Sequence, residues 1–383
     1  MRLLNRIFET CIAALTLISP AFPAPIYSIR NLGNLGGTDI TATGINQNGQ
    51  VTGFGTNRQG EYHAFLWSSG VMSDLGISPS NFMSQAGGIN NLGMIAGTQT
   101  GDSGTRAFAW SAGAYTSLGG LGTSASAIND AGQIAGLLTT QNSQGHAFRM
   151  SGGSLQDLGT MPGGTWSSAY GINNSGTVAG YGDTAGSNFR GFVTDSAGRM
   201  TPLGTLGGNS SYAMAINDAG QVGGSASARS GYVHAVTWNN GSIVDLGTLG
   251  GGNSFAYGIN NASTVVGYSY LANSTDTHAF VYRDGILYDL NVLVPSLAGW
   301  TLLNAYGIND RGQVVGTGML NGQLNAFLLD PGSQSRFNAQ FLSPEVSPVP
   351  EPGTLVLAML GLSLIAVWRR KIALVTLPPC QPE

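Results

Sequence analysis

Four histidines in this chain each precede an aspartate by eleven residues, a spacing that could place an imidazole beside a carboxylate. Proteins use such a pairing to orient a general base or a metal ligand, so these residues are the first candidates for chemistry. Three further positions, equivalent in sequence to those of the histidines, carry no histidine, and no aspartate follows them at that distance. The pairs are His63 with Asp74, His146 with Asp157, His234 with Asp245, and His278 with Asp289.

Each pair occupies the same place in a different sequence repeat, so the pairs should be distributed around the molecule and not converge on one centre. An offset of eleven residues across a two-residue turn predicts that histidine and aspartate lie directly opposite each other on neighbouring antiparallel strands. We therefore interpret them as structural hydrogen-bonded pairs. No metal site and no catalytic residue is expected, and the alternative is a catalytic or metal-binding role for the histidines.

The absence of known enzyme motifs and the small negative net charge argue against several classes of function. The sequence has no Gly-x-Ser-x-Gly elbow, no His-Glu-x-x-His helix and no phosphate-binding lysine loop, and no catalytic carboxylate pair can be picked out. Only 9% of the 383 residues are charged, and 15 cations against 19 anions give a formal charge of -4. Without a basic patch for phosphates, a nucleic-acid partner is not expected. No cofactor is implied.

The segments that would position these residues recur with a period of about 44 residues. Within one period the pattern predicts four short strands, the first two joined by turns such as Asn129-Asp130-Ala131-Gly132, in which glycine takes a positive φ. Four such strands are the size of one β-propeller blade. The 59 glycines favour the same turn-dense all-β class. An Ile-Asn element marks every period, with its asparagine at Asn46, Asn90, Asn129, Asn173, Asn217, Asn260 and Asn309.

One copy of the fourth strand stands out of order. Tyr27 to Leu32 supplies a fourth strand before any first strand, while the last repeat stops after its third strand at Asp330. Pairing the two ends would complete the last blade and leave no unpaired sheet edge. The sequence therefore predicts a seven-bladed β-propeller of four-stranded blades over residues 25–331, closed by an N-terminal strand. A β-solenoid, which needs no such closure, is the alternative.

The N-terminal segment is typical of a secretory signal peptide. Arg2 and Arg6 precede an apolar run, and small residues follow it, which predicts cleavage near Ala21 to Ala24 and a signal peptide over residues 1–24. The two cysteines, Cys11 and Cys380, lie in segments that processing of the two ends would remove. We therefore expect an exported product without a disulfide.

The C-terminal segment resembles the PEP-CTERM sorting signal of Gram-negative bacteria. After a spacer over residues 332–349, residues 350–371 carry a proline-glutamate-proline triplet, an apolar stretch of about 22 Å as a helix, and a basic cluster. The resemblance implies an exosortase and the secretion machinery as partners. It also implies transient anchoring in the inner membrane through the short helix, then release to the cell surface or outside. The chain departs from the family by an extension over residues 372–383. The motif residues are Pro350, Glu351, Pro352, Arg369, Arg370 and Lys371.

The repeats themselves resemble the HAF-repeat family of bacterial extracellular proteins. A His-Ala-Phe element occurs as His63-Ala64-Phe65 followed by Trp67, and twice more at His146 and His278 without the tryptophan. This resemblance covers about residues 26 to 330 and implies secretion with a binding or structural role. A monomer is expected.

Loops that join strands two to three and four to one emerge on one side of a propeller, and that side is where we expect a ligand. Trp166 and Trp300 lie near the loops of the second kind. Aromatic rings beside polar amides suit sugar rings. We therefore expect a component of the cell surface or biofilm matrix that binds or supports other molecules, with a polysaccharide-active enzyme or a lectin-like protein as the alternatives. The candidate ligand-face aromatics are Tyr181, Phe189, Tyr232, Tyr268 and Tyr270.

Overall fold

Each sequence repeat folds into a four-stranded antiparallel sheet, and seven such blades follow one another around a central channel. The structure is a computed structural model that describes residues 27–76, 81–186 and 188–332, and these residues hold 28 strands and one short helix. Strands pair in chain order within blades 1 to 6. One parallel pair, Tyr62 with Met83, also links the third strand of blade 1 to the first strand of blade 2.

The strands of each blade occupy four positions, numbered from the channel outwards. The first strands line the channel: β2 Gly36–Ile45, β6 Asn81–Ile89, β10 Thr123–Ile128, β14 Ser167–Ile172, β18 Gly207–Ile216, β22 Gly250–Ile259 and β26 Trp300–Ile308. The second are β3 Val51–Asn57, β7 Ile95–Gly101, β11 Ile134–Thr139, β15 Val178–Asp183, β19 Val222–Ala228, β23 Val265–Leu271 and β27 Val314–Leu320. The third are β4 Tyr62–Ser68, β8 Gly104–Ser111, β12 Gly145–Ser151, β16 Phe189–Thr194, β20 Val233–Asn239, β24 Thr277–Arg283 and β28 Gln323–Pro331. The fourth are β5 Val71–Asp74, β9 Ala114–Leu118, β13 Ser154–Asp157, β17 Met200–Pro202, β21 Ser242–Asp245, β25 Ile286–Asp289 and β1 Tyr27–Asn31.

The turn between the first and second strands explains the recurring asparagine. In blade 4 the Oδ1 atom of Asn173 accepts a hydrogen bond from the backbone N–H of Thr177 at 3.0 Å, and its carbonyl oxygen accepts one from Gly176 at 2.9 Å. Gly176 has a φ of +81°, which glycine adopts at little cost. The same Oδ1 contact forms in all seven blades, so one residue type ends each first strand and orders the turn after it.

The same asparagines bind the blades to each other. Each Nδ2 atom donates to the backbone carbonyl oxygen of the asparagine in the next blade, at 2.9 to 3.1 Å, and Asn309 donates back to Asn46. All seven side chains are buried. Buried amides and carbonyls are costly unless they are paired. The closed ring of seven hydrogen bonds satisfies both groups at once.

The core between blades rests on an aromatic residue of the third strand and a glycine opposite it. In blade 4 Phe192 pairs with Gly180, and a Cβ atom at Gly180 would lie 2.1 Å from the carbonyl oxygen of Ser168. The glycine is therefore required by close approach, and the ring of Phe192 fills the space above it with no exposed surface. The equivalent side chains, all fully buried, are Phe65, Phe108, Phe148, Phe192, Val236, Phe280 and Phe327.

Each first strand also contains a bulge. Two residues before the isoleucine that precedes the asparagine, one residue is skipped in the pairing with the second strand, in all seven blades. A bulge bends its strand and turns the extra side chain in a new direction. We call the residues at this position the bulge residues: Thr43, Gly87, Ser126, Tyr170, Met214, Tyr257 and Tyr306.

The two ends of the propeller close the ring as the sequence predicts. β1 pairs with β28 in antiparallel register, from Tyr27 opposite Pro331 to Asn31 opposite Phe327, and Leu32 donates to the carbonyl oxygen of Ala326 at 3.1 Å. The seven-bladed propeller closed by an N-terminal strand is therefore confirmed. The solenoid alternative is wrong, because first and last blades are neighbours.

The longest interval between asparagines, 49 residues, contains an insertion that the repeat pattern did not predict. The helix α1, Leu290–Leu293, follows β25, and the Asp289 side chain caps it by accepting from the N–H of Asn291 at 2.8 Å. Leu290 and Leu293 are buried in the core of blade 7. In the described part of the chain, no helix has the length and apolar character needed to cross a bilayer.

Several predictions from the two ends lie outside the described residues. These are the signal peptide 1–24, the spacer 332–349 beyond its first residue, the short membrane helix within 350–371, the extension 372–383, and both cysteines.

We expect the substitution Asn173→Asp to lower the free energy of unfolding by about 1–3 kcal/mol, because it replaces the amide donor with an oxygen that faces the Asn217 carbonyl. Denaturant unfolding measures this. The control is Asn240→Asp, an exposed turn residue with φ +48°, which should change stability by less than about 0.5 kcal/mol. Equal stability of the two variants would show that the asparagine ring does not hold the blades together.

Candidate ligand site at one mouth of the central channel

Seven isoleucines, one before each asparagine of the ring, divide the channel into two cavities. The cavity on the asparagine side has a volume of about 210 Å³, and the one on the opposite side about 190 Å³. All seven isoleucines line both. The two mouths therefore differ in chemistry only through the residues beyond this apolar ring.

The mouth on the asparagine side is a closed hydrogen-bonded collar. In each blade the residue after the asparagine donates its backbone N–H to the side-chain oxygen of its counterpart in a neighbouring blade, at 2.8 to 3.1 Å. Three of these oxygens are aspartate Oδ1 atoms, and neighbouring side-chain amides donate to the Oδ2 atoms of the same carboxylates. The collar thus satisfies its own polar groups. Its members are Gln47, Asn91, Asp130, Asn174, Asp218, Asn261 and Asp310.

The opposite mouth is asymmetric, because its character comes from the bulge residues. In blades 1 to 3 these are small, Thr43, Gly87 and Ser126, whereas blades 4, 6 and 7 carry tyrosine and blade 5 carries methionine. All but Tyr306 line the cavity directly. We call the side of this mouth formed by blades 4 to 7 the aromatic half, and the side formed by blades 1 to 3 the open half.

The aromatic half begins with a cluster in blades 4 and 5. Tyr170 and Tyr181 are stacked with ring centroids 5.0 Å apart, and Trp166 lies 5.5 Å from Tyr181. Phe189 meets Trp166 and Tyr181 edge to face at 6.0 and 5.8 Å, and Tyr212 meets Tyr181 edge to face at 5.0 Å. These are the offset and perpendicular arrangements that aromatic pairs prefer. Phe189 is exposed and the other four rings are half-buried, so the cluster presents ring surface to solvent.

A second cluster continues the aromatic half in blades 6 and 7. Tyr268 stacks on Phe255 at 5.0 Å and on Tyr257 at 5.9 Å, and Tyr257 meets Tyr306 edge to face at 5.3 Å. Tyr270 lies 6.3 Å from Tyr268. All five rings are half-buried. Of these rings, Tyr170 and Tyr257 line the cavity itself, and the others extend from them across four blades.

The hydroxyls of Tyr181 and Tyr268, at the centres of the two clusters, stay protonated. Burial and the hydrogen bond to Tyr170, whose hydroxyl lies 3.1 Å away, raise the pKa of Tyr181 above its usual value. Burial and the nearby Tyr257 likewise raise the pKa of Tyr268. Neutral hydroxyls donate and accept hydrogen bonds at the edge of an apolar surface. The mouth therefore combines apolar ring faces with polar groups that carry no charge.

A carboxylate fixes the segment that carries Trp166. Asp183 accepts from the N–H groups of Trp166 and Thr165, at 2.6 and 2.8 Å, and from the Thr165 hydroxyl at 2.9 Å. Burial alone would raise the pKa of Asp183, but these hydrogen bonds outweigh it and lower the pKa below its usual value. The ionised carboxylate thus holds the backbone at Trp166 in place through these hydrogen bonds.

Of the aromatics predicted for the ligand face, the structure brings four into these clusters: Tyr181, Phe189, Tyr268 and Tyr270. Tyr232 lies apart from them, 53% exposed, with its ring packed over Gly252. Trp166 belongs to the first cluster, but Trp300 is buried against Phe327 in the core of blade 7 and is not part of the face.

Sequence reasoning missed half of the aromatic mouth. Three of the missed residues, at 170, 257 and 306, are bulge residues that point towards the channel, and no pattern in the sequence shows a bulge. The other two, at 212 and 255, lie two positions before the bulge residue of their strands. A usable signal was present, since this one position varies from glycine to tyrosine between repeats whose neighbouring alanines and isoleucines do not vary. The missed residues are Tyr170, Tyr212, Phe255, Tyr257 and Tyr306.

The histidines and aspartates lie within hydrogen-bond distance in each of the four blades. The distance from histidine Nδ1 to the nearest carboxylate oxygen is 2.8 Å for His63, 3.0 Å for His146, 2.8 Å for His234 and 2.6 Å for His278. The carboxylates also accept from the turn that follows, as Asp74 does from the N–H of Gly76 at 2.8 Å. Each aspartate therefore joins a histidine and a turn of the same blade.

The predicted register of these pairs is wrong. Asp74 lies opposite Phe65, two residues beyond His63, because Ser69 and Gly70 form the turn between β4 and β5. The same diagonal arrangement occurs at Asp157, Asp245 and Asp289. Residues two apart in a strand share a face, so the side chains still reach each other diagonally.

Comparison with known proteins identifies one segment. Residues 348–371 match the PEP-CTERM protein-sorting motif, which confirms the prediction from the proline-glutamate-proline triplet and basic cluster. This motif is a signal for export and cell-surface sorting in Gram-negative bacteria and is recognised for processing by an exosortase. No curated protein matches the chain.

Solved structures share the fold at low sequence identity. A puromycin-hydrolysing peptidase from Mycobacterium tuberculosis is 13% identical with a TM-score of 0.52, over 82% of this chain and 55% of that one. This chain thus spans about half the length of that peptidase. The β-propeller domain of the Trilobed protease from Pyrococcus furiosus is 13% identical with a TM-score of 0.47, over 66% of this chain and 81% of that one. At such identities the likeness concerns the fold alone.

We expect His278→Ala to cost more stability than His146→Ala, about 1–3 kcal/mol against about 0.5–1 kcal/mol. The Asp289 carboxylate left behind is only 18% exposed and also caps α1, whereas Asp157 is 45% exposed and regains water. Urea unfolding of the two variants measures the difference. Loss of ligand binding at unchanged stability would instead give the histidines a direct functional role.

Proposed function

We propose that this protein is an exported, surface-sorted β-propeller that binds carbohydrate at the aromatic mouth of its channel. The observation that carries the proposal is the concentration of eleven half-buried or exposed groups, ten aromatic rings and Met214, in blades 4 to 7, whereas blades 1 to 3 carry small bulge residues and one equivalent aromatic pair, Phe54 with Tyr62. Binding sites are concave, largely apolar surfaces with a few fixed polar groups. This mouth has that composition.

Sugar rings suit this surface for a physical reason. A pyranose has apolar C–H faces and a rim of hydroxyls, so it can lie on an aromatic ring while its hydroxyls bond to neighbouring polar groups. Trp166 and Phe189 offer ring surface at the rim, and the paired hydroxyls of Tyr170 and Tyr181 offer donors and acceptors beneath it. Both kinds of contact are held by packing and by Asp183, so little order must be gained on binding.

The sorting motif supports the proposal because it directs the chain to a location where carbohydrate is present. A chain delivered to the cell surface meets polysaccharide of the envelope and of the surrounding matrix. We propose that processing by an exosortase follows a transient stay at the inner membrane, through the apolar stretch before the basic cluster. We also propose that the repeats belong to the HAF-repeat family and that the His–Asp pairs have a structural role. We also propose that the propeller acts as a monomer, without metal or cofactor.

The test is saturable binding of the purified full-length protein to an array of neutral and acidic oligosaccharides. We expect Trp166→Ala to weaken binding at least about tenfold, as truncation of a central aromatic contact does. Tyr181→Phe, which keeps the ring and removes one hydroxyl, should weaken it about two- to fivefold. Titration by intrinsic fluorescence or calorimetry gives the affinities.

The matched control is Trp110→Ala, a half-buried tryptophan at the other end of a third strand, which should leave the affinity unchanged. Absence of binding to every member of the array, or equal losses from Trp166→Ala and Trp110→Ala, would overturn the proposal. Cleavage of a bound oligosaccharide would replace it by a polysaccharide-active enzyme.

A further inference from the structure

We propose that the carbohydrate carries a carboxylate, as in a uronate sugar, and that Arg190 recognises this group at the rim of the aromatic mouth. The inference rests on the proposed function and adds the chemical class of the ligand. The seven blades have equivalent positions, so Arg190 can be compared with its counterparts in the other six.

The start of the third strand carries a basic side chain in six of seven blades, and only some are balanced by an acid. In four blades the residue is histidine, and an aspartate lies within 2.6 to 3.0 Å of its Nδ1 atom. In blade 4 it is Arg190, and Pro202 occupies the position of the aspartate, opposite Phe192. In blade 2 it is Arg106, with Ser117 opposite Phe108. Two arginines without an opposing aspartate therefore stand where four other blades have a histidine–aspartate pair.

The arginine ion pairs in the described residues are Arg30 with Asp330 and Arg283 with Asp284, so Arg190 has no carboxylate partner there. One guanidinium nitrogen of Arg190 donates to the backbone carbonyl oxygens of Asn209 and Phe189. These contacts hold the side chain at the junction of blades 4 and 5. A guanidinium has five N–H donors, so most remain for a ligand.

Arg190 differs from Arg106 in what surrounds it. Phe189, the preceding residue, belongs to the first aromatic cluster and lies 6.0 Å from both Trp166 and Tyr212. In blade 2 the bulge residue is Gly87, and no ring of either aromatic cluster comes from that blade. Phe189 and Arg190 are consecutive in β16, so their side chains leave the strand on opposite faces, but the Arg190 guanidinium returns to within 3.2 Å of the Phe189 carbonyl oxygen. A ligand that extends past the edge of the Phe189 ring would meet the guanidinium there.

A second guanidinium lies along the same rim. The side chain of Arg229 packs over Gly207, where an added Cβ atom would lie 2.7 Å from the arginine Cγ. Arg190 contacts Asn209 two residues further along the same strand, β18. Asp183, the carboxylate nearest to Trp166 in sequence and structure, is already occupied by Thr165 and Trp166. Asp183 keeps its negative charge, so the two guanidinium groups of Arg190 and Arg229 exceed the one carboxylate by a single positive charge, which favours an anion.

Carboxylate is the anion that this arrangement suits on a sugar. Arginine binds carboxylates through two parallel hydrogen bonds, which fixes both position and orientation. The aromatic rings would hold the sugar face while Arg190 holds the carboxylate at C6, beyond the ring edge. A neutral sugar would gain the first contact and not the second.

The experiment compares two probes that differ only at C6: β-1,4-linked glucose tetrasaccharide and the corresponding glucuronate tetrasaccharide. Both are titrated into the full-length protein and its variants at low and high salt. We expect the glucuronate probe to bind at least about tenfold more tightly, and high salt to reduce this advantage. Arg190→Gln should remove the advantage without changing the affinity for the neutral probe. Arg106→Gln, the matched control from the equivalent position of blade 2, should leave the advantage intact.

The outcomes separate the inference from the function on which it rests. Equal affinity for both probes in the wild-type protein, or an advantage that survives Arg190→Gln, overturns the inference while the binding function stands. Failure of both probes and of the whole oligosaccharide array overturns both. If Arg190→Gln and Arg106→Gln remove the advantage equally, the recognition is by general charge, and the assignment to Arg190 is wrong.

Discussion

The hydrogen bond from each buried asparagine amide to the next asparagine carbonyl is the constraint on which the structure depends. Six of the seven bonds join asparagines 39 to 49 residues apart in the chain, and the seventh, from Asn309 back to Asn46, joins residues 263 apart and closes the ring. Both partners are buried, so a broken bond would leave two polar groups without water. This condition holds all seven first strands at one distance from the axis. It also holds their isoleucines together as the apolar ring that divides the channel.

The asparagine ring fixes the backbone arrangement of the blades. The residue type can therefore differ between blades only at positions that this arrangement does not constrain. The alanines, glycines and phenylalanines of the core are kept by close packing, as the 2.1 Å approach at Gly180 illustrates. The bulge residue is free of that condition, since its side chain leaves the sheet and enters the mouth of the channel. Its change from small residues in blades 1 to 3 to tyrosine in blades 4, 6 and 7 is where a symmetric scaffold becomes a particular site.

The two mouths show how the same repeat serves two purposes. On the asparagine side, each polar side chain satisfies its neighbour, and the collar stabilises the ring. On the other side, aromatic rings and neutral hydroxyls remain available to solvent, beside a guanidinium that no carboxylate in the described residues neutralises. The collar therefore closes the ring, and the ligand binding that we propose belongs to the aromatic mouth, in a chain whose sorting motif directs it to the cell surface.

The sequence alone determined the fold class, the number of blades, the closure by residues 27 to 31 and the sorting motif. Each of these depends on a local or periodic pattern: an asparagine-glycine turn, an alternating strand or a displaced copy can be read without knowing what lies next to it in space. The histidine–aspartate spacing was visible in the same way, but its diagonal register was not, because register depends on where the turn falls. The aromatic mouth was decided only by the tertiary structure. Its rings come from blades separated by dozens of residues. Bulges turn Tyr170, Tyr257 and Tyr306 towards the axis, and rings from neighbouring strands and blades pack on them.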